Sequence, residues 1–167
     1  MLFCQQKQSL LGSLHYVHCY FLQTSSDVQK KLQQPVVDVD IELGLVKVVQ
    51  IATAQDVGRS LNPLALLGQI EGGIAQGLGL AVMEEIIVQN GIVKNPSFTD
   101  YLLPTALDAP NVLFIPIEEP DPQAPLGAKG VGEPPCISVT PAIVAAIRDA
   151  TGIDLKRTPV RPQDICL

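Results

Sequence analysis

The sequence predicts an α+β fold in which antiparallel hairpins pack with a long glycine-rich helix and a C-terminal helix. Two runs of β-branched residues, each broken by a turn signal, predict the hairpins. Two apolar stretches with helical start and stop signals predict the helices. Strand and helix signals are interspersed along the chain, so the pattern favours α+β over a doubly wound parallel sheet.

The first hairpin is predicted from Val36 to Asp56, which reads VVDVDIELGLVKVVQIATAQD. In its first half Val37 and Val39 alternate with Asp38 and Asp40, as in a strand with one buried face. A Leu-Gly pair interrupts the run, and the β-branched residues that resume after it predict a more buried second strand.

A second hairpin is predicted over EEIIVQNGIVKN, because Asn90-Gly91 is a strong signal for a type I′ turn. Further along, VLFIPI predicts a single strand that ends in a proline-rich loop.

The glycine-rich helix is predicted from Leu64 to Ile86, with Asn62 as N-cap and Pro63 at the first helical position. It holds five glycines, and each interior glycine costs about 0.5–1 kcal/mol relative to alanine. Small side chains let another backbone or a flat ligand approach closely, so we expect this helix to be packed tightly on all sides inside a larger assembly. The glycines are Gly68, Gly72, Gly73, Gly77 and Gly79.

The C-terminal helix is predicted with Thr140 as N-cap, Pro141 as its first residue and Gly152 as its stop. Residues 1–34 have no recognisable pattern, and both disorder and a misassigned start are consistent with that. The sequence therefore divides into this N-terminal segment and one folded unit over residues 35–167.

Composition excludes several classes of function. The net charge is −6 and no Lys/Arg run or aromatic platform occurs, so nucleic acid is not expected as a partner. No apolar run is long enough to span a membrane, so no membrane partner is expected either. The four cysteines are widely spaced, which predicts a reduced, cytoplasmic protein and no metal site within the chain.

Two positions could carry chemistry. Glu133 lies between Gly132 and Pro134, where glycines let the backbone approach a ligand and prolines fix the side chain's direction. A carboxylate shielded from water there could act as a general base, although an exposed loop glutamate has the same pattern. Gln69, on the glycine-rich helix, could donate its amide to a ligand oxygen, or simply face solvent.

Cys136 is a third candidate, as a catalytic thiol. Neither histidine, His15 or His18, is near it in sequence, and small buried cysteines are common in protein cores. A core position therefore remains the simpler interpretation.

Two long motifs resemble the C-terminal portion of the molybdenum hydroxylases, and most closely the molybdopterin-binding subunit of xanthine dehydrogenase. They are DVGRSLNPLALLGQIEGGIAQGLGLAVMEE (Asp56–Glu85) and GAKGVGEPPCISVTPAIVAAIRDATG (Gly127–Gly152). The resemblance extends from about Pro35 to Leu167 and implies that the fold is part of a larger molybdopterin-binding domain.

The resemblance implies a role for each site residue. Glu133 corresponds to the active-site base of a molybdenum centre that hydroxylates purines, related heteroaromatics or aldehydes with water as the oxygen source. Gln69 and Gly132 correspond to positions beside the molybdenum–molybdopterin cofactor. Iron–sulfur clusters and FAD are implied on other chains or domains, so the implied partners are the remainder of the molybdenum-binding subunit, an iron–sulfur subunit and an FAD subunit.

A full molybdenum-binding subunit of this kind is several times longer than 167 residues. The chain therefore resembles a fragment that holds the base without most of the cofactor site, and we expect it to be inactive alone. The alternative is a non-catalytic remnant or small subunit that packs against a partner chain carrying the rest of the site.

Overall fold

The computed structural model describes the backbone of residues 2–8, 14–24 and 30–166, and the side chains of residues 31–166. Its main feature is a five-stranded sheet with two long helices packed on one face. Across the sheet the strands are β1 (Leu2–Gln8), β2 (Leu14–Thr24), β3 (Lys30–Asp40), β4 (Leu45–Asp56) and β7 (Asn111–Ile117). A separate two-stranded sheet consists of β5 (Val88–Gln89) and β6 (Ile92–Val93).

The helices are α1 (Pro63–Val82), α2 (Pro134–Thr151) and the short α3 (Pro162–Ile165), and a 3₁₀ turn covers Pro125–Gly127. This mixture of antiparallel strands and helices confirms the α+β class.

The β3–β4 hairpin is confirmed, and its turn has a clear local cause. Asp40 Oδ1 accepts hydrogen bonds from the backbone N–H groups of Glu42 and Leu43, each at 3.0 Å. Gly44 then adopts a φ of +68°, a conformation that favours glycine. The β5–β6 hairpin is confirmed too, because Asn90 and Gly91 have φ values of +52° and +76°, both positive as a type I′ turn requires.

One strand pair is parallel, which the hairpin pattern does not predict. In the pairing of β4 with β7, Ile51 lies opposite Val112 and Thr53 opposite Phe114. A parallel pair needs a crossover connection, and α1 lies within it. The carboxyl ends of β4 and β7 therefore meet at one edge of the sheet.

Two strands, β1 and β2, lie within the N-terminal segment for which the sequence shows no pattern. β2 pairs with β3, and β3 crosses the predicted boundary at residue 34. Such long-range pairing is not visible in the local periodicity of the sequence. The boundary at residue 34 stays a prediction. Residues 1, 9–13 and 25–29 of this segment lie outside the described residues.

The core lies between the sheet and the two long helices. Branched aliphatic side chains dominate it, as expected where strands and helices bury one face each. The buried members include Val37, Val39, Val48 and Ile51 from the sheet, Ile70, Ile74 and Leu78 from α1, and Val139, Ile143 and Ile147 from α2.

The contact between α1 and α2 depends on two of the five glycines. A Cβ on Gly73 would lie 2.6 Å from the Cβ of Pro135, and one on Gly77 would lie 2.6 Å from the Cβ of Val139. The second contact lies four residues after the first on both helices, so α1 and α2 run in the same direction. Their N-terminal ends therefore lie at the same end of the molecule.

The tight packing expected on all sides of α1 is not observed within this chain. A Cβ on Gly68 or Gly72 would meet no atom within 4 Å, and both residues are exposed. The helix also ends at Val82 instead of Ile86, and the Met83 N–H bonds to the Gly79 carbonyl there.

The predicted start of the C-terminal helix is wrong, because α2 begins at Pro134 instead of Pro141. Pro134 and Pro135 occupy the first positions, where a helix needs no N–H donor. Thr140 lies inside the helix, and its Oγ1 donates to the Gly77 carbonyl at 2.8 Å instead of capping. The stop is confirmed: Gly152 has a φ of +71° and caps the C-terminus.

Substituting Gly77 by alanine should destabilise the fold by about 1–3 kcal/mol, because the new methyl group would overlap Val139. Gly72→Ala is the matched control, since its methyl group meets nothing and a helical glycine is replaced. That control should stabilise the fold by about 0.5–1 kcal/mol. Urea unfolding of both variants measures the difference, and equal effects would contradict the close helix contact.

Candidate active site

The candidate site lies at the end of the fold where β4 and β7 finish and where α1 and α2 begin. Gln69 precedes Gly73 by one turn of α1, and Glu133 directly precedes α2. Because Gly73 contacts Pro135, the structure brings both predicted residues to the same end of the helix pair.

Glu133 is the N-cap residue of α2 and is exposed. Its backbone is already helical, with φ −86° and ψ −37°, and its side chain makes no capping hydrogen bond. The two prolines that follow restrict the backbone directly after it. The backbone that carries the Glu133 side chain is therefore restricted, while its carboxylate is exposed to an incoming group.

The glycine-containing loop before Glu133 is tied to the end of β4 by backbone hydrogen bonds. Arg59 N–H donates to the Gly127 carbonyl at 2.9 Å, and Lys129 N–H donates to the Val57 carbonyl at 3.1 Å. Gly58, with a φ of +63°, permits this approach, because a Cβ there would lie 2.4 Å from the Gly127 oxygen.

An ion pair fastens the same loop through its side chains. Lys129 Nζ lies 2.6 Å from Asp56 Oδ2, and the two side chains are 15% and 2% exposed. Burial acts to raise the pKa of Asp56, but the Lys129 hydrogen bond and the Gly58 N–H outweigh it, so the pKa of Asp56 is lowered. The hydrogen bond to Asp56 in turn raises the pKa of Lys129.

Strand β3 holds the first turn of α2 from below. Lys31 Nζ donates to the Pro134 carbonyl at 3.2 Å, and Gln33 Nε2 donates to the Pro135 carbonyl at 3.0 Å. Both side chains are buried, and burial lowers the pKa of Lys31. We call Lys31 and Gln33 the latch.

The sheet is unusually polar beneath this turn. Gln33 pairs with Thr53 and Lys31 with Gln55 across β3 and β4, and all four side chains are buried. Gln55 is 0% exposed, yet neither atom of its amide has a hydrogen-bond partner, and neither does the Thr53 hydroxyl. An unpaired buried polar group costs about 1–3 kcal/mol, so packing alone does not account for these residues.

Gln69 and Gly132 are both exposed at this end. A Cβ on Gly132 or on Gly130 would meet nothing within 4 Å, so each residue is open on the side where a side chain would project. The loop can therefore lie directly against a ligand.

Cys136 lacks the surroundings of a catalytic thiol. Burial raises the pKa of its thiol, and the Glu84 carboxylate raises it further, against a smaller lowering effect from Lys31. A reactive cysteine needs the opposite shift. The side chains of His15 and His18 lie outside the described residues.

Comparison with known proteins identifies the family of the chain. The sequence pattern of the molybdopterin cofactor-binding domain matches residues 24–110, which is more than half of the chain. The chain belongs to the molybdopterin cofactor-binding domain family.

The molybdenum hydroxylase relatives of this family include the xanthine dehydrogenase molybdenum-binding subunit of Escherichia coli O157:H7. It is 39% identical over 131 residues, which are 76% of this chain and 17% of the relative. The aldehyde oxidoreductase of Megalodesulfovibrio gigas is 37% identical over 130 residues, which are 77% of this chain and 14% of the relative.

Solved structures share the fold as well. Quinoline 2-oxidoreductase from Pseudomonas putida 86 superposes with a TM-score of 0.76 and 31% identity, over 90% of this chain and 18% of that one. The chain thus spans about one sixth of the length of the molybdenum hydroxylases that it matches.

The residues at the site fit a flat, hydrogen-bonding cofactor such as molybdopterin. Gln69 offers an amide, and the glycines on either side of Val131 leave backbone open to close approach. Among residues 31–166, no cluster of His, Cys, Asp and Glu side chains could hold a metal ion directly.

Sequence reasoning did not single out Lys31, Gln33, Asp56 or Lys129 as site residues. Asp56 and Lys129 do lie inside the two motifs that carry the family resemblance, but their pairing spans 73 positions. Lys31 and Gln33 lie in a segment with no pattern, and no local signal could have linked them to α2.

The Asp56–Lys129 pair predicts a pH dependence of stability. Because the folded protein lowers the pKa of Asp56, the stabilisation is present above the unfolded pKa, about 4, and is lost as the pH falls through the folded pKa. Asp56→Asn should therefore be less stable than the wild type near pH 7, and the gap should narrow below about pH 4. Urea midpoints measured from pH 7 to pH 3 test this, and a gap that stays constant across that range would contradict it.

Proposed function

We propose that this chain supplies the general base, Glu133, of a xanthine dehydrogenase-like molybdenum hydroxylase. The reaction is hydroxylation of a purine, a related heteroaromatic or an aldehyde, with water as the source of oxygen. The observation that carries the proposal is the exposed carboxylate of Glu133, fixed at the start of α2 at the same end as Gln69. Membership of the family and the names of its relatives support the cofactor and the reaction class.

Each residue has a distinct task in this proposal. Glu133 accepts a proton from the oxygen nucleophile, and cofactor and substrate that cover it exclude water from the carboxylate. Gln69 donates its amide N–H groups to the cofactor, and Gly132 lets the loop backbone lie against it. When bound, the molybdenum–molybdopterin cofactor supplies a centre that accepts the two electrons released by the substrate.

The partners proposed for the chain are the remainder of the molybdenum-binding subunit, an iron–sulfur subunit and an FAD subunit. Exposed apolar side chains support extensive burial against further protein. Phe98 is 82% exposed, Leu107 is 90% exposed, and Leu113 and Ile115 of the edge strand β7 are more than half exposed. Iron–sulfur clusters and FAD would carry the electrons onward.

A second candidate is a non-catalytic remnant or small subunit that packs against a partner chain carrying the rest of the site. The exposed apolar side chains, which suit packing against a partner chain, favour this candidate. The two candidates differ in whether Glu133 takes part in turnover.

None of the helices in residues 31–166 is both long and apolar enough to cross a membrane. A cytoplasmic location and a role in purine metabolism remain predictions.

Glu133→Gln in the assembled complex should lower kcat by about 10²–10⁴-fold, because an amide cannot take up the proton. Molybdenum and pterin content should stay at the wild-type level, since the substitution preserves size. Glu42→Gln, on the exposed β3–β4 turn, is the matched control and should leave kcat unchanged. Normal turnover in Glu133→Gln would exclude the catalytic role and favour the non-catalytic remnant or small subunit.

The chain purified alone should contain molybdenum far below one atom per chain and should not reduce dyes with xanthine or aldehydes. The physical reason is that Glu133 and Gln69 lie on an exposed surface, whereas cofactors are usually bound in concave sites that bury most of their surface. Metal analysis and dye reduction are the measurements. Stoichiometric molybdenum with substrate-dependent dye reduction would contradict this expectation.

A further inference from the structure

The latch residues Lys31 and Gln33 donate to two successive carbonyls, those of Pro134 and Pro135, directly after Glu133. Both donors come from alternate positions of β3, so they project from the same face of one rigid strand. The helix start is thereby joined to the sheet at two points, one residue apart.

The latch contrasts with the rest of the interface between the sheet and α2. Further along β3, the buried positions facing the helices are Val37 and Val39, and these pack through apolar contact alone. Polar groups replace apolar ones only at the end where Glu133 lies. Apolar side chains would fill this space without leaving the Gln33 Oε1 atom unpaired. The amide therefore serves to orient the first turn of α2 rather than to fill space.

We infer that Lys31 and Gln33 are positioning residues that set the direction of the Glu133 carboxylate through the first turn of α2. Neither is a catalytic residue, because each bonds to the helix backbone. The inference rests on the proposed role of Glu133 as base. Its mechanical part, the restraint of the helix start, can be measured separately.

The restraint is measured in the full chain through the thiol of Cys136, which lies in the first turn of α2 and is partly buried. Gln33→Met keeps the length of the side chain and removes the donor, so the turn should loosen and Cys136 should be alkylated several-fold faster. Thr53→Val is the matched control, since Thr53 is buried beside Gln33 but its hydroxyl bonds to nothing. It should leave the rate unchanged.

Alkylation is followed at Cys136 by peptide mass spectrometry at a urea concentration of zero, with unfolding midpoints recorded for every variant. Gln33→Met is preferred to Lys31→Met here, because the charge of Lys31 itself influences the thiol. If the alkylation rate of Cys136 is unchanged in Gln33→Met, Gln33 does not restrain the start of α2 and the proposal is overturned.

The catalytic part is measured in the assembled complex. Gln33→Met should lower kcat by roughly 10- to 100-fold with little change in KM, since a small misplacement of a catalytic group has effects of that size. In the Glu133→Gln background, Gln33→Met should cause no further loss, because a residue that acts only through Glu133 has nothing left to position. Equal losses in both backgrounds would mean a general structural role and would overturn the proposal.

These outcomes separate the two proposals. Full turnover in Glu133→Gln refutes the proposed base and the positioning role with it, while the alkylation rates still report whether the latch restrains α2. Loss of turnover in Glu133→Gln, with a normal kcat in Gln33→Met, supports Glu133 as the base and refutes the positioning role of Gln33. Molybdenum content is recorded for each variant, so a fall in cofactor loading is not mistaken for a loss of positioning.

Discussion

The close contact of α1 with α2 is the constraint on which the rest of the site depends. Gly73 and Gly77 carry no side chain, so Pro135 and Val139 reach the surface of α1. Larger residues would push the helices apart and turn the start of α2 away from Gln69. The glycines therefore do more for position than for flexibility. They lower the stability of the isolated helix, and burial of the core between the packed helices and the sheet offsets that cost.

Glu133 is then restrained on both sides along the chain by interactions of different kinds. Backbone bonds from Val57 and Arg59 fix the loop before it, and the ion pair of Asp56 with Lys129 reinforces them. Behind it, the prolines limit the backbone and the latch ties their carbonyls to β3. An exposed carboxylate on an unsupported loop would sample many directions, and each restraint removes some of them before a ligand arrives. The energetic cost is visible in the unpaired buried amide of Gln55.

Sequence patterns predicted the parts of this structure whose causes are local. The two hairpins follow from alternation and from Asn90-Gly91, and the stop of α2 follows from Gly152. The predicted start of α2 is wrong because Thr140-Pro141 has the form of a helix start. The helix begins at Pro134, where the Gly-Glu-Pro-Pro sequence is equally typical of a loop. Parallel pairing of β4 with β7, the strands before residue 34 and the latch all depend on partners far away in sequence. For the site, the motifs indicated Glu133 and Gln69, but not the residues that hold them.

The restraints described for Glu133 come from this chain, whereas the proposed function needs further protein to enclose the cofactor. The position of Glu133 thus depends on β3, β4 and α1, which fold together with it around one core. In the proposed function, catalysis would depend on further protein that covers the open end and its exposed apolar surfaces. Contacts within the described residues therefore hold Glu133 at the start of α2 without any bound group. The position of the carboxylate and the activity proposed for it are thus separate questions, because the buried core sets the position of the helix start.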